Sequence, residues 1–193
     1  MVGAVLEATV EELARVGFGG LSTEAVATRA GVNKTTVYRR WPTRGELVRA
    51  ALLEFQARVF EDADTGTLRG DLLELLRGVR VQLGTARGRG VTLALMADDP
   101  HVRQLARSTR RVAVESSLTV LDRAARRGEL PDDVDRALLL DVLFGPLEQK
   151  MVIEGLTVDD AWLERLVDLV LRAVLQPAVT NPARAAPKRR ARS

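Results

Sequence analysis

Between residues 33 and 41 the chain reads Asn-Lys-Thr-Thr-Val-Tyr-Arg-Arg-Trp, and the chemistry these side chains offer is recognition of a polyanion. Lys34, Arg39 and Arg40 supply cations, while Thr35, Thr36 and Tyr38 supply hydroxyls. All lie on the outward face of a short predicted helix, Lys34 to Trp41, for which Asn33 is a good cap. Only Val37 and Trp41 are left to hold that helix against a core. Such a face packs poorly on protein and suits a phosphate-lined groove. The preceding helix is delimited by Ser22 as its cap and by Gly31, which stops it in the left-handed conformation. Two short helices around a glycine turn read as a helix-turn-helix with Lys34–Trp41 as the DNA recognition helix. Six cations between residues 29 and 49 (Arg29, Lys34, Arg39, Arg40, Arg44 and Arg49) face Glu46 alone, an electrostatic footprint of the same kind.

Other chemistries find little material. Cysteine is absent and His101 is the only histidine, so thiolate chemistry, a histidine-based triad and a multi-histidine metal site are not expected. Gly84-Thr-Ala-Arg-Gly-Arg-Gly has the look of a phosphate loop, yet its spacing fits no nucleotide motif and no strand precedes it. It reads as a flexible connection between helices. The carboxylate pairs Asp98-Asp99 and Asp132-Asp133 read as helix caps. No cofactor, metal or catalytic constellation is expected, and a helical enzyme is a remote alternative.

The formal charge is +3, but the last ten residues hold Arg184, Lys188, Arg189, Arg190 and Arg192 without an acid, so the rest of the chain is slightly negative. The basic pI therefore belongs to a tail, residues 177–193, expected to be disordered. No apolar run reaches the roughly 20 residues of a membrane span, and the N-terminus lacks signal-peptide features, which together point to a cytoplasmic protein.

Helical periodicity accounts for everything between. Val5, Leu6, Val10, Leu13 and Ala14 form the stripe of a support helix ended by Gly17, with Phe18 folding back. Thr43 and Glu46 form a capping box that opens a helix through Leu47, Leu52, Phe55 and Val59 to about Asp62, long enough to leave the DNA-binding unit. An amphipathic helix from Thr67, a short apolar helix Val91–Ala97, and a long one from Pro100 to Arg127 capped by Asp98 or Asp99 follow. Asp132 is expected to cap a helix with a wide apolar face, Val134 to Val152, kinked at Gly145-Pro146. Thr157 and Asp160 are expected to start the last helix, through Trp162 to Val174. The fold class is all-α with about nine helices: an N-terminal three-helix unit (1–46), and a larger domain for effector binding and dimerisation (47–176).

Gly17-Phe18, Val26-Ala27, Ala30-Gly31-Val32, Thr36-Val37-Tyr38, Trp41-Pro42 and Glu46-Leu47 resemble the signature of the tetracycline-repressor (TetR) family of bacterial one-component regulators. Leu-Phe-Gly-Pro-Leu at 143–147 is similar to one common subgroup. The resemblance implies a homodimeric repressor on a pseudo-palindromic DNA operator. It also implies that Ser22, Tyr38 and Arg44 contact phosphates while Lys34, Thr35, Thr36 and Arg39 lie near base edges; Arg40 is a further expected DNA-binding residue. Dimerisation through 134–154 and 158–175 would close the wide apolar face as a four-helix bundle. The pocket for a small, mainly hydrophobic effector is expected among Leu52, Phe55, Leu76, Val79, Leu83, Leu95, Met96, Val112 and Phe144. The alternative is a regulator of the same fold without a small effector, controlled by a protein partner or acting architecturally.

Overall fold

The computed structural model describes residues 1–57 and 63–175. Among these, nine α-helices and one π-helical turn follow one another without a strand. The first four are α1 (Val2–Gly20), α2 (Thr23–Ala30), α3 (Lys34–Arg40) and α4 (Arg44–Ala57). They are followed by α5 (Leu68–Gly84), α6 (Ala86–Leu95), α7 (Pro100–Arg126), α8 (Arg136–Glu148), the π-helical turn Gln149–Ile153 and α9 (Asp160–Leu175). The expected run of α4 on to Asp62, and the tail, lie outside the described residues.

Short-range caps start most of these helices. Ser22 Oγ accepts from the Ala25 N–H at 3.1 Å and Asn33 Oδ1 from the Thr35 N–H at 2.9 Å. The capping box is reciprocal: the Thr43 N–H donates to Glu46 Oε2 at 3.0 Å, and the Glu46 N–H donates to Thr43 Oγ1 at 3.2 Å. Asp99 receives the N–H groups of His101 and Val102. Each such cap is worth about 0.5–2 kcal/mol.

Two starts differ from expectation. Asp135, not Asp132, caps α8 through the Leu138 N–H at 3.0 Å, because residues 131–134 are taken up by a turn in which the Val134 N–H reaches the Pro131 carbonyl. Asp159, not Thr157, caps α9 through the Trp162 N–H at 2.8 Å. Val158, just before it, is buried in the core in non-helical backbone. The irregularity expected at Gly145-Pro146 is carried downstream: Pro146 sits inside α8, and the helix then widens into the π-helical turn.

The glycine stretch is the clearest correction. Rather than a loose connection, it is a tight corner in which only Thr85 separates α5 from α6; Gly84 ends α5, and Gly88 and Gly90 lie within α6. Thr85 Oγ1 caps α6 by accepting from the Gly88 N–H at 2.9 Å. A Cβ on Gly90 would stand 2.6 Å from the Ala14 carbonyl oxygen, so glycine is what lets α6 lie directly on α1. The apolar helix expected over Val91–Ala97 is thus shifted toward the N-terminus, and it buries Val91 while Leu93 and Met96 remain half exposed.

Two buried clusters organise the chain. The C-terminal one gathers Leu72, Leu76, Leu121, Leu140, Leu143, Leu147, Leu163 and Val167 from α5, α7, α8 and α9. The N-terminal one gathers Val5, Leu13, Val26, Val37, Leu47 and Leu52, and it is completed by Val91 of α6 and Val102 and Leu105 of α7. Two buried carboxylates pin these layers. Glu12 on α1 is bonded to Arg15 and to Arg29 of α2, and the Arg15 hydrogen bond, against the opposing effect of burial, holds its carboxyl below the usual range. Burial disfavours ionisation of Asp71. The Thr65 N–H at 2.6 Å, the Thr65 hydroxyl at 2.7 Å and the Arg127 guanidinium at 3.0 Å outweigh that effect and lower its pKa.

Candidate DNA interface and effector cavity

The helix-turn-helix is built around Gly31, whose φ of 66° lets the Val32 N–H return to the Ala27 carbonyl at 3.0 Å. Val37, with no exposed surface, anchors α3 from beneath, and half-buried Trp41 closes its C-terminal end. The opposite face is presented outward. Lys34, Thr35, Tyr38, Arg39 and Arg40 are exposed and Thr36 is half-buried. Lys34 and Arg39 make no ion pair among the described residues, whereas the Arg40 guanidinium lies 5.5 Å from the Trp41 ring centre.

Three residues flanking α3 are prearranged by local contacts. The Tyr38 hydroxyl donates to Glu24 Oε1 at 3.2 Å, which aims the phenol along the seam between α2 and α3. Ser22 accepts with its oxygen in capping α2 and keeps its proton to give. Arg44 is packed over the Phe18 ring at 4.2 Å and donates, at 3.4 and 3.5 Å, to the Gly19 and Leu21 carbonyls. It therefore ties the start of α4 to the end of α1. The side chains singled out for a phosphate-lined groove thus lie on α3, at the N-cap of α2 and at the first residue of α4, with α3 itself held from beneath by buried Val37.

A cavity of about 230 Å³ opens between α4, α5, α6, α7 and α8. Each helix contributes side chains three or four residues apart, as one helical face must: Leu52, Phe55 and Gln56; Val79, Gln82 and Leu83; Val91, Thr92, Leu95 and Met96; Ala106, Thr109, Arg110 and Val114; Phe144 and Glu148. Seven of the nine expected residues (Leu52, Phe55, Val79, Leu83, Leu95, Met96 and Phe144) are in this wall. Leu76 is not, because it is fully enclosed by the C-terminal core. Val112 is not, because it stands two residues before Val114, roughly 200° round α7 at 3.6 residues per turn.

The polar lining (Gln56, Gln82, Thr92, Thr109, Arg110 and Glu148) went unanticipated. A signal for one member existed: Glu148 follows Phe144 by four residues and interrupts the apolar face between Val134 and Val152. Burial raises the Glu148 pKa, opposed by the Arg110 guanidinium and reinforced by Asp141, to which Arg110 is bonded. Among the described residues no group of three or more His, Cys, Asp or Glu side chains could hold a metal ion, and no helix is long and apolar enough to cross a membrane.

Comparison with known proteins bears on both regions. The family described as "Bacterial regulatory proteins, tetR family" matches residues 5–51, and "Tetracyclin repressor-like, C-terminal domain" matches residues 62–170. A DNA-binding transcriptional repressor TetR of Mycobacteroides abscessus is 35% identical over 90% of this chain and 93% of its own length. The crystal structure of the TetR family transcription regulator SCO0332 superposes with a TM-score of 0.70 at 31% identity, covering 89% of this chain and 97% of that one. FadR of Bacillus subtilis, solved in complex with stearoyl-CoA, shares the fold with a TM-score of 0.67 at 21% identity, covering 89% and 96%. With a helix-turn-helix that presents its cations outward and family matches over both halves, this chain belongs to the TetR family of bacterial DNA-binding transcriptional regulators.

Proposed function

We propose that this regulator is a homodimeric repressor that leaves its operator when a small, mainly hydrophobic ligand enters the cavity between α4 and α8. The observation that carries the reading is the double membership of α4. Its first turns, through Leu47, Val48 and Ala51, belong to the N-terminal core beneath the recognition helix, and within the next turn Leu52, Phe55 and Gln56 form cavity wall. A ligand that displaces Leu52 or Phe55 therefore acts on the same rigid element that Arg44 fastens to the α1–α2 connection. Val91 repeats the arrangement on α6, being cavity wall and N-terminal core at once, one residue from Gly90 against α1.

In this reading residues 1–46 are the reader and 47–176 the sensor, and the protein is regulatory rather than catalytic. Ser22, Tyr38, Arg40 and Arg44 bind phosphates; Lys34, Thr35, Thr36 and Arg39 lie at base edges, Arg39 being able to bond guanine bidentately. Dimerisation uses 134–154 and 158–175, where Leu138, Val142, Ile153, Leu169 and Leu175 expose large apolar surface that a second copy would cover. Two recognition helices then meet successive major grooves about 34–36 Å apart. The stearoyl-CoA held by FadR supports an apolar occupant for a cavity in this fold. Footprinting on the protein's own upstream DNA, followed by a compound screen for release, tests the proposal. A specific operator from which no compound releases the protein would instead favour control by a protein partner.

A further inference from the structure

Two acceptors in the cavity wall lack donors. The Glu148 carboxylate accepts no hydrogen bond among the described residues, and Gln56 Oε1 is buried without a partner. The wall's own hydroxyls do not serve them: Thr92 donates to the Gly88 carbonyl at 3.1 Å and Thr109 to the Leu105 carbonyl at 2.5 Å, each within its own helix. Arg110, the one cation in the wall, is bonded to Asp141 and so is already neutralised. That leaves Glu148 as the one acidic group in the wall, with no hydrogen-bonded cation of its own. A buried acceptor without a donor, as Gln56 Oε1 is, is costly, and a half-buried carboxylate gains from a donor that reaches it, so an occupant that brings donors binds better than one of equal size that does not.

Building on the reading of this cavity as the effector site, we infer that the effector is an amphiphile whose apolar body lies against Phe55, Val79, Leu83 and Phe144 and whose protonated amine donates to Glu148. An ammonium group carries three donors, no acceptor and the charge opposite to Glu148. A carboxylate would set a third acceptor beside two that are unsatisfied, and could pair only with Arg110 by competing against Asp141. A hydroxyl would supply a donor without the charge. The apolar body is recognised by shape and burial, and the amine is what distinguishes this effector from the many apolar molecules of similar size.

Calorimetric titration of the full-length protein with n-octylamine, 1-octanol and octanoate tests this, because the three probes share one apolar chain. Octylamine is expected to bind at least about tenfold more tightly than octanoate, with octanol between them. Glu148→Gln, nearly isosteric and breaking no protein hydrogen bond, should weaken octylamine by about tenfold while changing octanol by less than about threefold; Glu148→Met is the second variant if the first does not fold. Ala106→Phe, which fills the cavity from α7, should weaken all three. Octanoate binding as tightly as octylamine, or octylamine indifferent to both Glu148 variants, would overturn the amine assignment while leaving the cavity reading in place. If none of the three binds, or if Ala106→Phe changes none, the cavity is not the effector site and the inference falls with it.

Discussion

Gly90 of α6 and Ala14 of α1 meet backbone to backbone, with the Ala14 carbonyl oxygen where a side chain on residue 90 would begin. Because that oxygen belongs to the main chain, it cannot rotate aside as a flexible side chain would. Gly90→Val is expected to cost about 1–3 kcal/mol through overpacking, more than the few tenths gained in helix propensity. At about 2–4 °C per kcal/mol for a chain of this size, calorimetry should show a lower Tm. Gly84→Ala is the control. No atom lies within 4 Å of its added methyl, so stability should move by less than about 0.5 kcal/mol.

Asp71 predicts an acid limb. Its carboxyl is held below the ordinary range by Thr65 and Arg127 in the folded state and titrates near 3.9 once unfolded. The unfolded chain therefore takes up the proton first as pH falls, so the stabilisation is complete above about pH 4 and is lost as pH drops through the lower folded value. Asp71→Asn should reduce stability at pH 7 by about 1.5–3 kcal/mol, the usual worth of hydrogen bonds to a charged group. Urea unfolding at a series of pH values should show wild type and variant converging below pH 4. A constant gap down to pH 2 would mean that the carboxylate is not the source.

On the DNA face, Tyr38→Phe removes a hydroxyl without altering the ring. It should weaken operator and unrelated DNA alike, the mark of a phosphate contact. Lys34→Ala should cost about 1–3 kcal/mol at particular base pairs and leave others unchanged. Competition titrations with operator variants separate the two patterns. If neither substitution alters binding while the dimer stays intact, α3 is not the recognition helix.

How much of this was legible in the sequence depends on the range of the interaction. The caps at Ser22, Asn33 and the Thr43–Glu46 box involve residues two to three positions apart, and pattern alone located them; for α7 it narrowed the cap to Asp98 or Asp99, and the structure places it at Asp99. At Gly90 the reason for glycine is tertiary, since only the approach of α1 makes it a packing residue, whereas at Gly88 it is the fold of the corner itself, which brings the Gln82 carbonyl where a side chain would begin. The cavity's apolar wall was found because helical spacing puts Leu52 with Phe55 and Val79 with Leu83 on one face. Leu76 shares that stripe but lies where the core closes over it. The polar wall was missed because Gln56, Arg110 and Glu148 converge only when three separate helices pack together.

In the proposed mechanism α4 carries the state of the cavity to the recognition helix. The most direct measurement of this coupling is the Kd for a labelled operator, by fluorescence anisotropy, with and without a saturating cavity-bound compound, for wild type and Ala106→Phe. The compound is expected to raise the wild-type Kd about 5- to 150-fold, the range of a 1–3 kcal/mol coupling, and to leave the variant's Kd unchanged. A compound shown by calorimetry to occupy the cavity without moving the wild-type Kd, or one that releases the filled variant equally well, would contradict it.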